Sequence, residues 1–334
     1  MLQQTKSAGD HKNLLKLIKN YKTPSISSSL WQIANTFLPY VGLWILMIYA
    51  IQISYWLVIP LVIIAAGLTV RLFIIFHDCG HGAFFKSKLA NDAVGIFLGI
   101  LTFTPYHRWH HAHLIHHRTA GNLDKRGIGD VWTLTVEEFN ALSKKRQYWY
   151  RAYRNPIVMF LIGAPLMFLV SHRFTRKDFS RRERLSVYFT NLGLLVLVLG
   201  LSLLVGFKTF LLIQLPITYL ASAGGVFLFY VQHQFPDVHW YRDEEWDYST
   251  VAITGASYLK LPRVLQWFSG NIGFHHIHHL SSKIPNYKLE RCHNENKPFQ
   301  QVVPVKLMDS LYTLKLRLWD EKRQQLVSFS EAGV

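Results

Sequence analysis

The sequence predicts an all-α integral membrane protein, a single domain over 1–334, with four transmembrane helices and a cytoplasmic helical cap that holds a di-metal site. Three observations lead there: long blocks of apolar residues, basic residues segregated between them, and clustered histidines. The 334-residue chain is 50% hydrophobic yet carries a formal net charge of +16. A soluble domain has no use for both at once. Segregating the two along the chain removes the conflict.

The first apolar block covers 37–76, and the second covers 185–231 with a break near Gly206-Phe207-Lys208. Crossing the hydrocarbon core takes about 20 helical residues. Each block therefore supplies two passes, placed at about 37–53, 55–76, 185–206 and 209–231. Two shorter stretches, about 93–106 and 156–170, are nearer the length of interfacial segments. The histidines argue the same way. A crossing at 93–106 would put the histidines on its two sides in opposite compartments, where they could not share a metal. After 231 the chain turns polar, with turn signals at Phe235-Pro236-Asp237, Leu261-Pro262 and Ile284-Pro285-Asn286. The stretch from about 307 to 326 reads as a charged amphipathic helix.

Charge sets the orientation. The turn between the first two spans has no Lys or Arg, and the turn between the last two has only Lys208. The N-terminal segment carries Lys6, Lys12, Lys16, Lys19 and Lys22, and the loop 86–184 is rich in Lys and Arg. The positive-inside bias puts both termini and that loop in the cytoplasm of a multi-pass cell-membrane protein. Basic residues that follow topology in this way do not describe a nucleic-acid partner. The polar N-terminal segment lacks the apolar core and cleavage site of a signal peptide. Cys79 and Cys292 are the only cysteines, which excludes a disulfide framework or an iron–sulfur cluster.

The chain has 17 histidines. His77 and His81, four apart after the second span, fall on one helix face if that helix continues. A denser group runs from His107 to His117. Two H-x-x-H-H frames fit it, beginning at His107 or at His113, and spacing does not choose between them. His275, His278 and His279 repeat the pattern, and His233 stands at the end of the last span. Taken singly, each has an ordinary reading as a surface, capping or interfacial histidine. Together, the four-span topology delivers all of them to one membrane face. Imidazole suits zinc, copper, iron and nickel. Eight or nine imidazoles are too many for one ion and suit two, an arrangement fit for two-electron activation of dioxygen. Without metal, so many buried rings would be hard to satisfy.

These boxes resemble those of the membrane fatty-acid desaturase superfamily. The stretches Ile75-Phe76-His77-Asp78-Cys79, Gly121-Asn122-Leu123-Asp124-Lys125-Arg126-Gly127-Ile128-Gly129-Asp130-Val131-Trp132, Tyr230-Val231-Gln232-His233 and Gly270-Asn271-Ile272-Gly273-Phe274-His275-His276 are more narrowly similar to the Gram-positive bacterial acyl-lipid desaturases of Delta-5 type. The resemblance implies a di-iron, O2-dependent enzyme that introduces a cis double bond into acyl chains of membrane phospholipid. It implies the ligand set His77, His81, His113, His116, His117, His233, His275, His278 and His279, with no catalytic residue beyond the ligands. His107, His110 and His111 become neighbours. In animal acyl-CoA desaturases an Asn four residues before the late-span His contacts the site through water. Here that position is Phe229, and Gln232, Gln234 and Asn271 are the expected substitutes.

Each turnover needs two electrons, and the sequence has no haem, flavin or iron–sulfur segment. The resemblance therefore implies a separate donor, a small acidic ferredoxin or flavodoxin drawn to the basic face. Iron is expected as two ions, with zinc replacing it on overexpression because zinc stands higher in the affinity order. One rival reading is a hydroxylase or ketolase of the same superfamily acting on alkane, lipid or carotenoid. Another is a divalent-metal transporter, which needs polar residues inside its spans, and 194–206 offers few.

Overall fold

The computed structural model describes residues 8–334; Lys6 lies outside them. In chain order the helices begin with α1 (Ala8–Leu17), α2 (Ile26–Ile53), α3 (Tyr55–Gly80), α4 (Lys88–Leu101) and α5 (Tyr106–Thr119). Strand β1 (Leu134–Thr135) precedes α6 (Val136–Ala141) and α7 (Lys144–Tyr153). A π-helical segment (Ile157–Gly163) runs into α8 (Ala164–Leu169), followed by the long α9 (Arg181–Val205) and α10 (Phe207–His233). The remainder is short: α11 (Tyr248–Thr254), β2 (Tyr258–Lys260), α12 (Arg263–Phe268), α13 (His275–Leu280), α14 (Asn286–Glu295), α15 (Lys297–Gln300), β3 (Pro304–Lys306), α16 (Asp309–Thr313), β4 (Leu318–Asp320) and β5 (Gln325–Val327).

The helices α2, α3, α9 and α10 are each long and apolar enough to cross a membrane, so the chain fits a membrane-embedded protein. They form two hairpins with minimal turns. Ser54 ends α2 and caps α3, and Gly206 separates α9 from α10. Their inner faces interlock through Trp44, Met47, Val58, Leu72, Phe210 and Ile213. Leu203 and Leu204, among many other apolar side chains, remain exposed. Such a surface is at home in lipid.

The helix α2 begins at Ile26 rather than near 37. Its extra turns carry the polar residues Ser29, Gln32 and Thr36, all buried. Ser29 Oγ donates to the Phe84 carbonyl at 2.6 Å, and Gln32 Nε2 to Asn286 Oδ1 at 2.8 Å. A hydropathy reading stops at polar residues that tertiary partners satisfy. The stretch 93–106 is interrupted: α4 ends, and α5 leaves at 103° to it. The other short stretch joins α7 at 66°.

The expected helix over 307–326 is replaced by the turn α16 and the strands β4 and β5. Leu318, Trp319, Leu326 and Val327 are buried. Asp320 Oδ1 accepts the backbone N–H groups of Lys322 and Arg323 at 3.0 and 3.1 Å. That side-chain cap favours a turn over a helix. Strand β4 pairs antiparallel with β5 and parallel with β1, so tertiary pairing decides against the local helical pattern.

Arg154, wholly buried, ties this cap to the end of α10. It donates to Thr133 Oγ1 at 2.9 Å, to Gln234 Oε1 at 2.8 Å and to the Leu316 carbonyl at 3.0 Å. On the other side, Tyr106 OH donates to the Cys79 carbonyl at 2.8 Å and locks α5 onto α3. Gly95 of α4 makes room for that tyrosine: a Cβ there would meet Tyr106 Cε2 at 2.2 Å. Gly95→Ala is expected to destabilise the protein by about 1–3 kcal/mol of overpacking, seen as a lower thermal midpoint of detergent-solubilised protein. Gly42→Ala, inside α2 where a Cβ meets nothing within 4 Å, should not lower that midpoint, since alanine favours the helix over glycine.

Candidate metal centre

Each histidine reaches the centre for a local reason. The helix α3 runs past the apolar block to Gly80, and His81 N–H still bonds the His77 carbonyl at 3.1 Å. The two rings therefore share a face, 4.6 Å apart. In α5, the frame His113, His116, His117 is buried. Of the other frame, His107 and His110 are half-buried and His111 is exposed. His111 Nδ1 instead meets Glu183 Oε1 at 2.9 Å, against the start of α9. His275, His278 and His279 lie on α13, and His233 is the last residue of α10.

The buried imidazoles converge in two groups. One ligand atom from each of His77, His81, His113, His117 and His278 lies within 4.8 Å of every other, and so do those of His116, His233 and His279. His275 Nε2 sits 3.0 Å from His233 Nε2 and joins the second group. The groups abut through α5, where His116 and His117 are neighbours. All nine residues named from the sequence are thus brought together, from four helices, α3, α5, α10 and α13. His276 is buried but faces His293 and Tyr258 instead.

The donor chemistry tests whether metal ions fit. A carbonyl oxygen can only accept, so His233 Nδ1, 3.3 Å from the Gly255 carbonyl, carries the proton. His116 Nδ1 is bonded by Asp130 Oδ1, which as a carboxylate also accepts. A neutral imidazole has one proton. The Nε2 atoms of His116 and His233 therefore point bare lone pairs at each other across 3.1 Å. No hydrogen bond can bridge them; a cation can. The first group repeats the problem, since His113 Nε2 lies within 3.0–3.1 Å of Nε2 on His77, His81 and His117. Burial away from water, reinforced by neighbouring imidazoles, holds His81, His113, His117, His275, His278 and His279 well below the usual histidine range. Neutral rings with inward lone pairs are the form that ligates metal.

Two carboxylates escaped the sequence reading. Asp78 Oδ1 is 3.2 Å from His77 Nδ1, while its Oδ2 accepts from Asn286 N and Nδ2 at 2.6 and 2.9 Å. Asp130 is placed on His116 by Gly129, whose φ of +76° and close approach to the Ala112 carbonyl exclude a side chain. Such carboxylate–histidine pairs fix tautomer and ring orientation at metal sites. The signals were present: Asp78 adjoins His77, and Asp130 closes a Gly-rich phrase. The expected substitutes for the outer contact have other partners. Gln232 Nε2 donates to the Ile272 carbonyl at 3.0 Å, Gln234 receives Arg154, and Asn271 pairs with Gln266 at 3.0 Å. Phe229 packs its ring 5.1 Å from His116 and 4.9 Å from His233, making an apolar wall.

Fold and site together define a membrane-embedded protein with a buried poly-histidine centre suited to metal ions. Residues 53–305 match the family model described as fatty acid desaturase. The chain is 47% identical to a fatty acid desaturase of Bacillus subtilis (strain 168), over 98% of this chain and 93% of that protein. It is 28% identical to the oleoyl-12-hydroxylase FAH12 of Ricinus communis, over 82% of this chain and 72% of that one. It is also 28% identical to an sn-1 acyl-lipid omega-3 desaturase (ferredoxin) of Nostoc sp. (strain 36), covering 82% and 76%. The chain belongs to the fatty acid desaturase family.

Three substitutions test the expected roles of ligand, neighbour and support. His113→Ala should abolish stoichiometric metal in purified protein measured by inductively coupled plasma mass spectrometry, whereas His110→Ala should retain it. Asp130→Ala leaves His116 Nδ1 unbonded and is expected to weaken metal retention against a competing chelator by roughly 10–100-fold. Unchanged retention in Asp130→Ala would remove the carboxylate from the site.

Proposed function

We propose that this chain is a di-iron, O2-dependent acyl-lipid desaturase that introduces a cis double bond into acyl chains of membrane lipids. The observation that carries the reading is the pair of abutting histidine groups with opposed lone pairs. His77, His81, His113, His117 and His278 would hold one iron, and His116, His233 and His279, with His275 beside them, the other. Two groups rather than one favour a paired-metal centre. Family membership and the acyl-lipid desaturase among the relatives support the substrate class.

A bound iron pair supplies two-electron chemistry with dioxygen. One O2, two hydrogens from adjacent methylenes, two electrons and two protons give one alkene and two waters. The protein's part is placement. An unactivated C–H bond offers no charge to grip, so rate and position depend on holding the chain beside the centre. Asp78 and Asp130 hold the Nδ1 protons of His77 and His116, keeping Nε2 directed inward. Phe229 keeps water from the second group.

The whole chain acts as one domain in the cell membrane, with the histidines and both termini on the cytoplasmic side, as the Lys and Arg distribution favours. Contact of His77 with His113 supports keeping 93–106, like 156–170, at that interface. The electrons come from a separate ferredoxin or flavodoxin. The name of the Nostoc relative supports the former, and exposed Lys144, Lys145 and Arg146 of α7 give an acidic donor a basic surface.

The hydroxylase among the relatives makes product identity the decisive test. Lipids from a host expressing the chain should lose two hydrogens per modified acyl chain. Gain of one oxygen instead would assign hydroxylation. The product should vanish under anaerobic growth and in His278→Ala. Protein overexpressed in zinc-replete medium should carry zinc in place of iron and lack activity; stoichiometric iron under those conditions would contradict the expected competition.

A further inference from the structure

Within the apolar run 55–76, the only charged residue is Arg71. A charge inside a spanning helix is costly and is kept where it has work to do. Arg71 is 7% exposed. Its Nε donates to Thr36 Oγ1 of α2 at 3.1 Å, its Nη1 donates to the Trp267 carbonyl of α12, and the guanidinium lies 4.2 Å over the Trp267 ring. A hydroxyl, a carbonyl and a ring are neutral partners. Among the described residues Arg71 has no carboxylate, and its Nη2 has no protein acceptor yet is not sealed from the surface. Arg154, the other deeply buried guanidinium, differs: it is enclosed on all sides, and its Nη2 is fully engaged.

Depth and surroundings say what the missing anion is. Arg71 lies 16 residues beyond Tyr55, about 24 Å along a helix that crosses about 30 Å of hydrocarbon. It stands about 9 Å before His77 on the same axis. That is about 6 Å short of the headgroup boundary on the histidine side, within the reach of a long guanidinium side chain. The short helix α12 lies directly on α3 there, because Gly67 has no side chain: a Cβ would meet Phe268 Cδ1 at 2.7 Å. The other face of α12 presents Val264 and Leu265 outward, and the Trp267 ring that packs on Arg71 is itself partly exposed, an apolar and aromatic edge typical of the membrane boundary. Arg71 therefore sits almost wholly buried in the seam between α2, α3 and α12, with its unpaired Nη2 edge reaching the surface there.

We propose that Arg71 anchors the headgroup of the lipid substrate, its free Nη2 edge binding the phosphate of a phosphoglycerolipid at this seam. Guanidinium matches phosphate in charge and in fork geometry. The inference rests on the acyl-lipid reading above and adds a preference for phosphate-bearing lipid over neutral glycolipid. It makes Arg71 a positioning residue, one that fixes the carboxyl end of the chain relative to the histidines.

The test uses iron-loaded full-length protein in vesicles containing phosphatidylglycerol and glucosyl diacylglycerol with the same acyl chains. Wild type should favour phosphatidylglycerol. Arg71→Gln should raise the apparent KM for phosphatidylglycerol roughly tenfold, as expected for loss of one charge-assisted contact. It should leave kcat, and turnover of the glycolipid, nearly unchanged, and Arg71→Lys should restore most of the preference. An equal fall on both lipids would reduce Arg71 to a clamp between helices, and no change on either would remove it altogether. Excess inorganic phosphate should leave the preference intact; its loss would assign a free-phosphate site instead. Native mass spectrometry supplies a readout independent of turnover. Phosphatidylglycerol retained by wild type and lost from Arg71→Gln supports the anchor even if no acyl lipid is desaturated, while equal retention overturns it.

Discussion

Two electron pairs cannot hydrogen-bond to each other, and this chain presses nine inward-facing imidazoles into abutting buried groups. Once the Gly255 carbonyl and Asp130 fix the Nδ1 protons of His233 and His116, their Nε2 atoms face each other with nothing to share. Only a cation placed between the rings reconciles the geometry. The rest of the fold can be understood as the means of holding this arrangement: two tight hairpins that set the depth of α3 and α10, and a cap that brings α5 and α13 over them.

That arrangement is stabilised by polar groups whose partners come from far along the chain. Tyr106 of α5 reaches the end of α3, Lys283 Nζ donates to the His81 carbonyl at 2.7 Å, and Arg154 joins the cap to α10. Each bond satisfies a group that would be costly to bury alone. Each also fixes the direction of a histidine-bearing element. Packing and site geometry are therefore one problem here, and a change that loosens α5 disturbs both histidine groups at once.

The sequence made the membrane helices and the histidine boxes legible because both signals are periodic and dense. Apolar blocks of 37–76 and 185–231 leave little else to propose, and imidazoles at i, i+3 and i+4 share a face on any helix. What escaped notice depended on contacts between distant segments. Thr36 and Gln32 look like the end of an apolar run until Arg71 and Asn286 are seen beside them. Leu318 to Val327 looks helical by charge pattern until β1 is available to pair. The roles of Asp78 and Asp130 follow from where Asn286 and Gly129 place them, which no local pattern encodes. Spacing allowed two frames in α5; packing of His111 against Glu183 turns one of them away from the centre.

The bond from Asp78 to Asn286 spans 208 positions. A ribosome feeding this polypeptide into a bilayer releases the first box long before the residue that completes its support exists. The first two spans are made first, leaving the imidazoles of the first box unsupported until the last third of the chain arrives. The histidine groups are therefore completed only late in synthesis, because His278, His279 and Asn286 all come from the last third of the chain.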